Sequence, residues 1–397
     1  MSDNPYRPGV GLQPLYLAGR EEDLVRFRRV LARAPAIPAN VRMTGLRGVG
    51  KTVLLRRFQE IAESDGWATI SVEIEPRHAS DAAFASLVRS QAEKLDSKLS
   101  VTARIKDAAG AAINAARRVV NVKYEGFEWS LAGDLDVSTK AVAEMILEAS
   151  DKAVNNGKAG LVILFDEAQI LADENDPNGN HPLSALIAAV STLQKQGSLV
   201  SLVLCGLPTL AVNLLSARTY TERMFQGFRI DSLDDTASKE ALVNPLAGTT
   251  ITANPKLVER IVNDVDGYPY FLQLWGAELW DATVDAGGTE MTASTLDVIE
   301  PGIQKRLDLD FYEPRIESLT PAEQDLLLES AACAYPPLRV AELNDASKKT
   351  PGNINVLLGR LVKSNVLYRP RKGEYRYTAP KFRDFLLRRI ASVESER

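Results

Sequence analysis

Short apolar runs alternate with longer stretches of helical period through the first two-thirds of the chain, the pattern of a parallel α/β sheet. Val41–Thr44 is a short strand entering a glycine-rich turn. Trp67–Ile74 is β-branched and alternating. Leu161–Phe165 is a continuous apolar run ending in acids, as expected of a strand buried on both faces. Leu199–Cys205 and Phe228–Ile230 read as the fourth and fifth strands. Between them the spacing predicts helices over Glu21–Arg33, Lys51–Asp65, Ala82–Leu95, Thr139–Asn155 and Pro182–Gln196.

Ser97–Val137 breaks this alternation. Its first half is Ala-rich and helical, and its second half alternates Val120, Val122, Tyr124 and then Phe127, Trp129, Leu131 around Glu125-Gly126. It reads as an insertion ending in a β-hairpin. After about Ser232 the strand signals stop and helices follow, including Pro255–Asp266, Pro269–Asp281 and Thr292–Asp310. From Pro314 the character changes again. Thr320-Pro321-Ala322-Glu323 is a capping box with Pro at the first helical position. Helices near Val340–Ser347 and Asn353–Ser364 come next, then strands Val366–Arg369 and Tyr375–Thr378 around Lys372-Gly373. Helix–helix–helix–hairpin is the winged-helix pattern. The expected division is an α/β domain over 1–232 (insertion about 97–137), a helical lid over 233–312 and a winged helix over 313–397.

Composition changes little in this picture. With 45% hydrophobic and 25% charged residues over 397 positions, wholesale disorder is excluded and two or three domains are implied. Two cysteines (Cys205, Cys333) and two histidines (His78, His181) are too few and scattered for a zinc or iron–sulfur site. A reducing compartment follows, and the N-terminal residues lack the apolar core of a signal peptide. Gly197–Ala217 carries no charge and is long enough to span a bilayer, but Gly206-Leu207-Pro208 breaks it into strand, turn and helix. A cytoplasmic protein without membrane contact is expected.

Chemistry enters at two places. Gly45-Leu46-Arg47-Gly48-Val49-Gly50-Lys51-Thr52 matches GxxxxGK[ST] in full, between a strand and a helix that begins at Lys51 and continues through Val53. Its glycines let successive backbone N–H groups face one point at a helix N-terminus, an anion nest. Lys51 would reach the β- and γ-phosphates of ATP, and the Thr52 hydroxyl would ligate Mg²⁺. The strand Leu161–Phe165 delivers Asp166 and Glu167 to the sheet edge. Asp166 would hold Mg²⁺, and Glu167 would orient and deprotonate the attacking water.

Leu17-Ala18-Gly19-Arg20-Glu21 precedes the first helix by a short step, roughly 25 residues before the P-loop. This apolar pair followed by Gly-Arg-Glu resembles the N-terminal box of initiator-type AAA+ and STAND-type ATPases. The order of box, P-loop, Asp-Glu strand, helical lid and winged helix is similar to the origin-recognition initiator ATPases of archaea. The resemblance implies an α/β P-loop NTPase sheet with a helical lid and a C-terminal winged helix. It places Arg20 against adenine and ribose, and Pro269 of Gly267-Tyr268-Pro269 over the adenine. It also places an arginine finger at Arg223, with Arg218 as competitor, acting on a γ-phosphate, often that of a neighbouring subunit. Each of the four can equally be an ordinary capping, first-turn or surface ion-pairing residue. The chain departs from these families at Leu204-Cys205-Gly206-Leu207-Pro208, with no sensor Asn or Arg, and at Tyr268-Pro269-Tyr270, where a sensor arginine is usual. Slow or switch-like hydrolysis is the expectation.

The formal net charge of −5 conceals an asymmetry. Arg360–Arg389 holds ten basic residues against Glu374 and Asp384, a net +8, so the remainder carries −13. In a helix–turn–helix reading, Asn353–Ser364 is the recognition helix, presenting Asn353, Asn355, Arg360 and Lys363, with Arg369, Arg371 and Lys372 on the wing. DNA is one expected partner. The other reading is a STAND-type signalling switch whose winged helix locks the closed form or docks a protein, with a separate effector or further copies of the chain as partners.

Overall fold

The computed structural model describes residues 3–9, 11–34, 36–110 and 137–395. The hairpin expected at Val120–Leu131 lies outside them. The chain forms two compact units, one of Glu22–Thr44 and Leu54–Arg229, the other of Met1–Glu21, Gly45–Val53 and Ile230–Arg397.

The first unit is built on a parallel five-stranded sheet of β1 (Val41–Gly45), β2 (Ala68–Glu73), β3 (Leu161–Asp166), β4 (Val200–Gly206) and β5 (Gln226–Ile230), in the order β2-β3-β4-β1-β5. Every residue of β3 and β4 is buried, whereas the edge strands β2 and β5 are buried only in part. That is why β3 and β4 read as unbroken apolar runs. Helices Asp81–Gly110, Val137–Asn155 and Pro182–Lys195 contribute to the large core around β2, β3 and β4. Another layer is aromatic: Phe27 stacks on Phe58 at 4.0 Å, and Phe58 meets Phe228 of β5 edge-on at 5.5 Å. Entry into β1 is fixed by a reciprocal amide pair. The Asn40 side chain, fully buried, exchanges hydrogen bonds with Gln194 at 2.9 and 2.8 Å and accepts the Leu202 N–H at 3.0 Å. A buried amide with its donors and acceptors matched locks register at little cost.

The helix expected over Ala82–Leu95 continues to Gly110, because the strong helix formers do not stop at the apparent insertion boundary. The uncharged stretch from Gly197 divides into β4 and the nine-residue helix Thr209–Ala217. Among the described residues no helix is long and apolar enough to cross a membrane.

In the second unit, strands do not end at Ser232. β6 (Thr252–Ala253) and β7 (Glu290–Met291) form a two-residue parallel ladder among the helices Asp235–Val243, Pro255–Val265, Pro269–Asp285 and Ala293–Leu307. Two-residue strands carry no periodicity for a sequence to show. The N-terminal segment packs here too: the Tyr6 hydroxyl donates to the Leu242 carbonyl, and its ring lies where a Cβ on Gly276 would stand. The C-terminal part is a winged helix of helices Pro321–Ala331, Val340–Ala346 and Pro351–Lys363 with an antiparallel sheet β8-β10-β9. These strands are β8 (Leu338–Arg339), β9 (Leu367–Arg371) and β10 (Glu374–Tyr377). A further helix, Phe382–Ser395, closes it. The Thr320 box is formed, its amide and hydroxyl both donating to Glu323 at 2.8 and 2.7 Å.

Candidate functional site

Gly48 and Gly50 adopt φ of +78° and +88°, and Lys51 opens the helix Lys51–Ser64. Only glycine enters this region without strain, so the alternation of glycines forms the nest of inward N–H groups. Gly45 is required for a different reason: the Ile230 carbonyl oxygen occupies the place of its missing Cβ. Lys51, 6% exposed, donates its ammonium to the Leu46 carbonyl at 2.8 Å, its one hydrogen bond among the described residues, which leaves two N–H donors for phosphate oxygens. Gly50 has open space where a Cβ would point. Val49 is buried, and Thr52 and Val53 are half-buried on the first helical turn.

Two side chains hold the loop from outside. Arg20, 9% exposed, donates to the Val49 carbonyl at 3.2 Å and to the Asp231 carbonyl at 2.6 Å. It is therefore a buried brace on the loop rather than a surface cap. Tyr268 is buried, donates its hydroxyl to the Arg47 carbonyl, and lays its ring against Gly48, where any Cβ would collide with it. Burial pushes its phenol above the ordinary range. The turn carrying Tyr268 is itself pinned, because the Gly267 carbonyl accepts the Leu233 N–H at 2.8 Å and the Leu233 carbonyl fills the space of a Cβ on Gly267. Pro269 starts the helix Pro269–Asp285 and is half-exposed.

From Tyr268 an unbroken run of aromatic contacts reaches the winged helix. Tyr268 meets Phe271 at 4.8 Å, Phe271 meets Phe311 at 5.6 Å, and Phe311 meets Tyr312 at 5.0 Å. Tyr312 stacks on Phe385 at 4.9 Å, and its hydroxyl donates to the Pro380 carbonyl at 2.9 Å. Arg315 lies over the Phe311 ring at 4.1 Å and donates to the Phe311 carbonyl. Burial, and then the Arg47 charge, push its guanidinium below the ordinary range. Spacing in the sequence gives no sign that Tyr268 and Arg315 belong with Arg47.

At the C-terminal end of β3, Asp166 is 6% exposed and accepts the Glu167 N–H at 2.9 Å. Glu167 is in the left-handed region, φ 51° and ψ 31°, at the head of the 3₁₀ turn Ala168–Leu171. The Gln169 amide donates to the Glu167 carboxylate at 2.6 Å. Its oxygen accepts the Leu207 N–H at 3.0 Å. Arg218 and Arg223 are both exposed, with no ion pair among the described residues. Asp166 in one unit and Thr52 in the other each carry a hard oxygen of the kind that suits Mg²⁺.

Asn353, Asn355, Arg360, Lys363, Arg369, Arg371 and Lys372 are all exposed, while Ile354, Leu357, Leu358 and Leu361 of the same helix are buried. The Asn355 amide donates to the Pro351 carbonyl at 3.0 Å. Other cations of this region are spoken for. Arg383 donates to the Ala331 and Cys333 carbonyls at 2.9 and 3.2 Å. Arg388 pairs with Asp308 at 2.7 Å, Arg389 with Glu313 at 3.9 Å, and Lys349 with Glu329 at 2.9 Å.

A glycine nest at the end of β1, a lysine at its helix N-terminus and an Asp-Glu pair ending a buried parallel strand define a P-loop ATPase. Residues 16–203 match the family model described as AAA ATPase domain, so the chain carries such a domain. Residues 309–386 match a model described only as a domain of unknown function. No curated protein sequence matches the chain. Among solved structures, the fold is similar to the Walker-type ATPase PABY2304 of Pyrococcus abyssi, with 19% identity, a TM-score of 0.56, and coverage of 96% of this chain and 98% of that one. It is likewise similar to the ORC2 protein of Aeropyrum pernix, with 13% identity, a TM-score of 0.55, and coverage of 98% of both chains. At these identities the likeness concerns fold.

Proposed function

We propose that the protein binds ATP with Mg²⁺, hydrolyses it, and uses the nucleotide state to control DNA binding by its winged helix. The observation that carries the nucleotide half is the formed loop, with Gly48 and Gly50 at positive φ and a buried Lys51 keeping two donors. Lys51 and the loop amides would hold the β- and γ-phosphates. Mg²⁺, held by Thr52 and Asp166, would supply neutralising charge for the phosphates. Glu167 would take the proton of the attacking water, and Arg223 or Arg218, from a neighbouring copy, would be the arginine reaching the γ-phosphate. Arg20 and Pro269 would border the adenine and ribose. The A. pernix ORC2 structure is described as ADPNP–ADP complexes, which agrees with an adenine nucleotide. The missing sensor side chain after β4 supports slow, switch-like turnover.

The DNA half rests on exposed charge at the recognition helix and wing, together with the aromatic run that joins Tyr268, on the P-loop, to Phe385 of the winged helix. A ligand that favours one loop arrangement would bias one winged-helix arrangement through it. The working division is an ATPase domain over 1–232, a lid over 233–312 and a winged helix over 313–397. A second reading, the STAND-type lock, is favoured by Arg388 and Arg389, whose charges tie the last helix to Asp308 and Glu313. ATPase rate with and without duplex DNA, in parallel with molar mass with and without ATP, separates them. A DNA-independent rate together with no DNA binding leaves the lock.

A further inference from the structure

The end of β4 carries no polar side chain, yet the position beside it is filled by one from elsewhere. Gln169, two residues after Glu167, folds back through the 3₁₀ turn and engages both its side-chain amide and its backbone carbonyl. Its Nε2 donates to Glu167 Oε2 at 2.6 Å, its Oε1 accepts the Leu207 N–H at 3.0 Å, and its backbone carbonyl accepts the Asn213 amide at 3.0 Å. β3 and β4 are adjacent and parallel, so this one amide spans the exits of both strands. The space is reserved for it: a Cβ on Gly206 would run into Gln169 Oε1. The φ of Gly206 is not in the left-handed region, so its smallness answers to this contact rather than to backbone conformation.

We propose that Gln169 is a positioning residue for ATP hydrolysis: anchored on the Leu207 amide, it holds one oxygen of the Glu167 carboxylate and leaves the other to accept the proton of water. The proposal rests on Glu167 as the base. A carboxylate without an anchor samples several rotamers, and a base misplaced by about 1 Å loses on the order of 100-fold in rate. An anchor on the backbone of the neighbouring strand removes that freedom. It also gives the missing sensor after β4 a physical substitute, an amide supplied from the β3 side with β4 contributing only an N–H and the absence of a Cβ.

The test is ATP hydrolysis and ATP binding of Gln169→Met, Gln169→Glu and Gly206→Ala in the full chain. Met keeps the shape and loses both hydrogen bonds. Glu keeps the acceptor for Leu207 and loses the donor to Glu167. Gly206→Ala leaves Gln169 in place and displaces its oxygen. All three are expected to lower kcat by about 10- to 100-fold with KM and ATP affinity unchanged. The double variant Gln169→Met/Gly206→Ala is expected to be no slower than Gln169→Met alone, because both act on one bond. Wild-type or faster turnover in the Met and Glu variants, or equal losses in kcat and ATP affinity, overturns the proposal. Glu167→Gln separates the levels. If it hydrolyses at the wild-type rate, the base assignment falls and this inference with it. If it is inactive while the Gln169 variants are normal, this inference falls alone.

Discussion

The loop after β1 and the basic face of the winged helix, the two anion sites proposed for this chain, are assembled by opposite means. The loop works through backbone. Its geometry comes from Gly48 and Gly50 at positive φ, from Tyr268 and Arg20 gripping the Arg47 and Val49 carbonyls, and from one buried ammonium. The winged helix offers side-chain charge, and the fold has already drawn on that charge. Arg383 caps the carbonyls that end the helix Pro321–Ala331, and Arg388, Arg389 and Lys349 are each paired with an acid. What stays outward is Arg360, Lys363, Arg369, Arg371 and Lys372. A motif of local spacing therefore states its chemistry directly, whereas a count of charges states only an upper bound.

The comparison can be broken in several ways, the most severe first. Lys51→Ala removes the buried ammonium of the loop and should abolish ATP binding, read by titration with a fluorescent nucleotide. Retained affinity would mean that the loop suffices without its buried ammonium. Next, Gly48→Ala forces a Cβ into both a left-handed backbone and the Tyr268 ring. Strain of roughly 1–2 kcal/mol before the clash is counted should weaken ATP binding more than tenfold, a loss that Tyr268→Ala in the same chain should partly relieve. For the winged helix, Arg371→Ala with Lys372→Ala should lower DNA affinity and reduce the slope of log K against log salt by about 2, whatever the sequence of the duplex. Arg383→Ala should leave that slope unchanged while costing about 1.5–3 kcal/mol of stability in urea unfolding, since two charge-assisted hydrogen bonds are lost. Equal effects on slope would show that Arg383 faces DNA after all.

The smallest effect belongs to the cap. Thr320→Ala should cost about 1 kcal/mol. Hydrogen bonds from the Thr320 hydroxyl and amide hold the Glu323 carboxyl below its usual range. A carboxyl lowered by folding stabilises the folded form above its unfolded pKa and ceases to do so as pH falls through its folded value. The wild-type advantage over Glu323→Gln should therefore be full at neutral pH and fade on acidification.

Particular residues show why some of this was readable in advance. β3 and β4 are buried on both faces, so LVILF and LVSLVLC could be nothing but central strands, and the glycine spacing after β1 encodes its own turn. The strands β6 and β8, two residues each, have no period to detect. The last helix, Phe382–Ser395, carries its buried apolar residues Phe382, Phe385 and Leu386 early, where Phe385 stacks on Tyr312 and Phe382 meets Tyr377. Tyr268 and Arg47 are far apart in sequence and meet only through tertiary structure. Gln169 was within reach. An amide two residues beyond the second acid, with a glycine ending the next strand, is a pattern a sequence displays, but its meaning needs the register of β3 against β4.

The most direct test of nucleotide-controlled DNA binding is the affinity for a duplex measured across a salt series, with ATP and with ADP. The account predicts a steep linear fall of log K with log salt, two separate lines for the two nucleotides, and their collapse onto one line in Lys51→Ala. Failure to bind at low salt with either nucleotide, or coincident lines in the wild type, would contradict it.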